Sequence, residues 1–131
     1  MSNEIDISNP DSFQGGGHTD AWQVLRLVLA QAAADSSSAV MFQQTHEDTT
    51  LRYEVKGHWY EMVPPPPEVM SSLLRILKER AGLSPEASWG EGEILLRTTK
   101  GPLAFRLSAC VDPQGRSVIL ACRVGVSKPE D

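Results

Sequence analysis

TTLRYEVKGHWYEMVPPPPEVMSSLLRILKERAGL, Thr49 to Leu83, decides how this chain folds. It reads as strand, tight turn, strand, four prolines, amphipathic helix and glycine stop. Thr49 to Val55 alternates, with Leu51, Tyr53 and Val55 on one face and Arg52 and Glu54 on the other. A two-residue turn at Lys56-Gly57 sets Val55 opposite His58, Tyr53 opposite Tyr60 and Leu51 opposite Met62. The same register places Arg52 across from Glu61 as an opposite-charge pair. A slip of one residue would mix the two faces, so the pairing is well specified. Pro64 to Pro67 then end the ladder, because proline has no N–H to give it.

The helix starts within the prolines, since a first helical turn leaves its N–H groups unpaired anyway. Glu68 lies near the positive end of its dipole, and Lys78 and Arg80 near the negative end. Val69, Leu73, Ile76 and Leu77 form an apolar stripe that Met70 and Leu74 widen. Gly82 suits the left-handed position after the helix, and Leu83 the apolar contact beyond it.

Outward from this unit, Asp20 and Gln23 suit a capping box for a first helix running to about Ala34. Trp22, Leu25, Leu29 and Ala32 line its inner face, with Val28 beside them. Asp35 and three serines break it, and Ala39 to Gln43 is a short strand apolar enough to be central. Near the end, a turn at Lys100-Gly101 predicts pairs Ile94–Leu107, Leu96–Phe105 and Thr98–Leu103. Leu95, Arg97, Ala104 and Arg106 fall on the opposite face. Asp112 to Gly115 is a loop leading into a last strand, Ser117–Val124. The order α-β-β-β-α-β-β-β predicts an α+β domain with an antiparallel sheet of about six strands and two main helices.

A chain of 131 residues, 40% hydrophobic, has room for one domain of ordinary size. Residues 18–126 are expected to form it, between an acidic flexible tail over 1–17 and a short tail over 127–131. Gly15, Gly16 and Gly17 read as linker. The start, MSNEIDISNPDSF, has no basic region followed by an apolar one, and no run is apolar enough to span a membrane. A cytoplasmic location is the expectation in a bacterial context. The net charge of −5 belongs to the ends, for Ala21 to Val126 holds 11 acids and 11 bases. A neutral domain with acidic tails lacks the basic surplus that nucleic-acid binding requires.

No set of residues reads as catalytic, metal-binding or cofactor-binding. Cys110 and Cys122 fit no metal spacing; a disulfide across the final hairpin is conceivable, and reduced thiols fit a cytoplasmic chain better. His46, Glu47 and Asp48 are adjacent and point in different directions, which suits a solvated loop. His58 suits packing or partial exposure beside its turn, and Ser108 has no evident histidine partner. Trp59 shares the polar hairpin face with Arg52, Glu54 and Glu61, as an interface anchor or buried under the helices or the loop at Trp89. Arg52, Arg97, Arg106 and Arg123 either pair in solvent with Glu54, Glu61 and Glu93 or converge on one sheet face. Converged, they and Trp59 make a contact surface for a partner or an anion.

LRYEVKGHWYEM followed by LLRILKERAGL resembles the N-terminal domain of the type II secretion and type IV pilus assembly ATPases. SSSAVMFQQ, Ser36 to Gln44, sits where that family has its Ser-Asp-Ile-His strand, and FRLSACVDPQGRSVILACRV, Phe105 to Val124, looks like its closing hairpin. The resemblance covers about residues 18–126 and lies in the order and spacing of the motifs. It implies a PAS-like domain. In the family, arginines of this domain reach toward nucleotide held by the adjoining motor domain.

The departures bear on function. Ala39 and Met41 stand where the family has Asp and His; Glu54 replaces the second arginine of its Arg-x-Arg strand, and Lys56 its turn aspartate. WGEGE stands for a longer Pro-Gln-Asp-Gly-Arg segment, with Glu93 at the arginine. Arg106 matches the first arginine of the closing hairpin; the second falls on Ala121, with Arg123 two residues on. No Gly-x-x-x-x-Gly-Lys-Ser/Thr loop is present to cradle phosphates. The expectation is a stand-alone, divergent relative without the motor: a non-enzymatic interaction or regulatory module, without cofactor. Its partner would be a secretion or pilus motor or its own copy. The second reading is a PAS-like sensor pocket for a small anion or nucleotide, with Arg106 and Arg123 as charge partners.

Overall fold

A computed structural model describes residues 4–7, 19–99 and 101–124. The chain order is β1 (Glu4–Asp6), α1 (Thr19–Ala34), β2 (Ala39–Gln44), β3 (Thr49–Val55), β4 (His58–Met62), α2 (Pro67–Arg80), β5 (Trp89–Thr98), β6 (Gly101–Val111) and β7 (Ser117–Val124). The fold is α+β: two helices and a mixed seven-stranded sheet in the order β1-β5-β6-β7-β2-β3-β4. All neighbours are antiparallel except β1 on β5.

The seventh strand is a departure from the expected six, and it lies in the stretch read as tail. Glu4, Ile5 and Asp6 pair in parallel with Leu95, Leu96 and Arg97, and Ile5 is fully buried. Burying one isoleucine is worth about 1.5–3 kcal/mol and offsets part of the cost of ordering so short a strand. Arg80 adds to this, donating to the Glu4 carbonyl at 3.2 Å while stacking 5.1 Å from the Trp22 ring. The triple glycine and the residues after Val124 lie outside the described residues.

The β3–β4 hairpin has the register its alternation specifies: all five pairs from Leu51–Met62 to Val55–His58 are formed. Lys56 and Gly57 both take positive φ, 54° and 86°, as a two-residue turn with matching twist requires. The prolines are pinned by side chains: Thr49 donates to the Pro65 carbonyl at 2.7 Å, and Gln44 to that of Pro67 at 3.0 Å. Helix α2 then begins at Pro67. It ends with Gly82 N–H donating to the Glu79 carbonyl and Leu83 N–H to that of Lys78.

Helix α1 starts at Thr19, one residue before the expected Asp20 cap, whose side chain lies outside the described residues. Its end uses the same device without glycine. Ser36 takes φ 56° and donates to the Ala33 carbonyl, while Ser37 N–H donates to that of Ala32. The Ser37 hydroxyl also donates to the carbonyls of Ala39 and Glu54, which turns the chain into β2. As its composition suggests, β2 is interior, flanked by β3 and β7.

The β5–β6 hairpin departs from expectation in register. Ile94 pairs with Phe105, Leu96 with Leu103 and Thr98 with Gly101, so Gly101 belongs to β6 rather than to the turn, and Lys100 lies outside the described residues. The two-residue shift keeps every side chain on its expected face. WGEGE is strand, not loop: Gly90 and Gly92 face the helices, and a Cβ on Gly92 would lie 2.3 Å from the Ala81 carbonyl oxygen. The C-terminus of α2 can sit on β5 only where side chains are missing. Trp22, Phe42, Leu51, Leu77, Ile94 and Phe105 centre one core between that face and both helices.

Candidate interaction surface

Register fixes which residues share the other face of the sheet. One row of Cα partners runs Glu93–Arg106–Cys122–Ala39–Glu54–Trp59, and the next runs Glu91–Ser108–Leu120–Met41–Arg52–Glu61. No described element covers these rows, because the core, and the helices with it, lie against the opposite face. Leu120, Met41 and Cys122 are half-buried in the middle strands, flanked by charged residues towards both edges. Trp59 on β4 is 46% exposed, and Trp89 on β5 is 71% exposed on the same face. Strands lie about 4.8 Å apart, so the two tryptophans stand about 25 Å apart across the strands, near opposite margins of an open, mixed-charge face.

Arg52, Arg97, Arg106 and Trp59 share this face but do not converge, since Arg97 on β5 and Trp59 on β4 lie near its opposite margins. Arg52 ion-pairs with Glu61 at 3.1 Å across the hairpin, the pair that the register predicts. Arg97 holds Glu4 at 2.6 Å and so clamps β1. Both pairs are solvent-exposed and add at most about 1 kcal/mol each. Arg106 stands between Glu93 and Cys122. Burial raises the Cys122 thiol pKa above its ordinary value; Glu54 raises it further and Arg106 opposes.

Arg123 is not part of the group. It pairs with Phe105, so it faces the helix side, where it lines a cavity of about 370 Å³ with residues of α1 and the β5–β6 turn. A single ligand held by Arg106 and Arg123 together is therefore ruled out, for the sheet lies between them. Cys110 and Cys122 are likewise separated: Cys110 pairs with Val118 and Cys122 with Arg106, four residues apart along the strand or about 13 Å. Both are free thiols, and Cys110 is exposed.

Trp59 is neither under the helices nor under a loop, being at the outer corner of an edge strand. Beside it Tyr60 is half exposed on the helix-side face and tilts 47° against Tyr53 at 6.0 Å. Trp89 was not singled out by its local sequence, since WGEGE resembles a loop. Its signal is the alternation of Trp89, Glu91 and Glu93 with Gly90, Gly92 and Ile94. His46, Glu47, Asp48 and His58 are exposed. Among the described residues no three acids, histidines or cysteines group as metal ligands, and no helix is long and apolar enough to cross a membrane.

No family model matches this chain, and no curated protein matches it closely enough to count as a relative.

Proposed function

We propose that this chain is a non-enzymatic protein-interaction module that binds a protein partner on its open sheet face. The observation that carries the reading is one-sided coverage: both helices serve one face, and the other presents Trp59, Trp89, Arg52 and Arg106 to solvent. Aromatic and arginine side chains around a half-buried apolar centre are the composition that anchors interfaces. The mixed charge of the rows suits a protein surface better than a polyanion, which would meet Glu54, Glu61, Glu91 and Glu93.

The motif order of Ser36–Val124 supports a PAS-like domain related to the N-terminal domains of secretion and pilus ATPases, acting in the cytoplasm. A motor ATPase of that kind is the partner proposed first, and a second copy of this chain next. Of the arginines, Arg106 is the one whose position suits contact across the interface, since Arg52 and Arg97 already hold carboxylates of this chain. The test is size-exclusion chromatography of the purified chain, alone and mixed with such an ATPase from the same organism. A complex or dimer that Trp59→Asp and Arg106→Glu abolish is expected. A monomer that forms no complex, or a chain that itself hydrolyses ATP, overturns the reading.

A further inference from the structure

We infer that the helix-side cavity at Arg123 is a binding site for a small organic carboxylate with a short apolar body. This site is independent of the docking face, since the sheet separates them. Its wall combines Arg123 from β7, Ser36 from the α1 end, Thr98 and Thr99 from the β5–β6 turn, and an apolar floor that includes Ala33 and Leu103. At about 370 Å³ it falls within the range of small-molecule pockets, towards the small end.

Charge selects the ligand class. Among the described residues that line the cavity, Arg123 is the one ionisable group, and no carboxylate stands with it there. Asp35, at the end of α1, is engaged elsewhere: its carboxylate accepts from Gln31 at 2.9 Å and from the Tyr53 hydroxyl at 2.7 Å. A half-buried guanidinium facing a walled hollow gains most from a planar anion, which it can hold with two parallel N–H donors. The hydroxyls of Ser36 and Thr99 offer further donors at the rim. The alanines and Leu103 offer no polar partner, so the rest of the ligand must be apolar and compact. A bulky or polyanionic ligand fits neither the floor nor the one cation among the described lining residues.

Nuclear magnetic resonance tests this on the full chain. Amide shifts are followed while isovalerate, 4-methylpentanoate and phenylacetate are added separately, with isovaleramide as neutral isostere. At least one carboxylate is expected to give saturable shifts confined to the neighbourhood of Ala33, Ser36, Thr98 and Arg123. Isovaleramide should give none, and Arg123→Met should weaken binding by about tenfold or more, the loss of one charge-assisted pair. Ala33→Leu, which fills the floor, should abolish binding while Arg123→Lys retains part of it. Should Arg123→Met fail to fold, the comparison of acid with amide on the unaltered chain decides alone. The inference fails if no carboxylate shifts these amides, if the neutral amide does so equally, or if the shifts map to the open sheet face.

Discussion

Gly92 shows how one missing side chain positions an element. A Cβ there meets backbone, the Ala81 carbonyl at 2.3 Å, whereas one on Gly90 meets only the Leu83 side chain at 3.0 Å. Gly92→Ala should therefore cost about 1–3 kcal/mol in urea unfolding, the usual range for forced overpacking, and Gly90→Ala clearly less. The Asp35–Tyr53 bond makes a pH prediction. The Gln31 amide and then the Tyr53 hydroxyl hold the Asp35 carboxyl below its ordinary value, with burial opposing. Its stabilising share is thus present above the unfolded value of about 4 and lost as pH falls through the lower folded value. Asp35, first as hydrogen-bond acceptor, holds Tyr53 above its ordinary value, so that share is present below about pH 10 and lost above it. A melting temperature followed from pH 2 to 11 should show both limbs, and Tyr53→Phe should remove the alkaline one. At this scale much was legible: Lys56-Gly57 dictates its hairpin pairs because alternation and turn agree. Ser36 was not, because nothing local marks a serine for a left-handed cap.

Among the elements, α2 depends on a buried cation at its end. Lys78 is only 9% exposed and donates to the carbonyls of Pro85 and Ala87, both at 3.3 Å, tying the following loop to the helix. Lys78→Met keeps the stem and leaves two acceptors unmet, so it should cost about 1–3 kcal/mol in the same unfolding measurement. Both helices were legible from apolar period and stop signals. The β5–β6 register was not, because a shift of two preserves both faces and only the loop conformation selects between them. Strand β1 escaped notice because three residues among acidic neighbours give little alternation, and their partner, β5, is some 90 positions away. Nothing local encodes a pairing so distant.

For the whole molecule, the decisive property is that, among the described residues, seven strands carry helices on one side only. Parity along β3, β4, β5 and β6 already groups Arg52, Trp59, Arg97 and Arg106. The face of Arg123 depends instead on how the Asp112–Arg116 loop sets β7 against β6, and Asp112 sets it by accepting from the N–H groups of Gln114 and Arg116. The cavity was out of reach of sequence reading altogether, since its wall is assembled from Ile7 just after β1, α1 and its end, the β5–β6 turn, β6 and β7. Cys110 and Cys122 lie on the open face and serve as native reporters of its coverage. In the isolated chain exposed Cys110 should alkylate faster than Cys122, whose pKa burial raises. The most direct measurement is the iodoacetamide rate at Cys110 and Cys122, with and without a saturating motor ATPase from the same organism. Slower labelling in the mixture, restored to the free rate by Trp59→Asp, is the predicted result. Unchanged labelling of both thiols in a formed complex, or no complex at all, would contradict docking on this face.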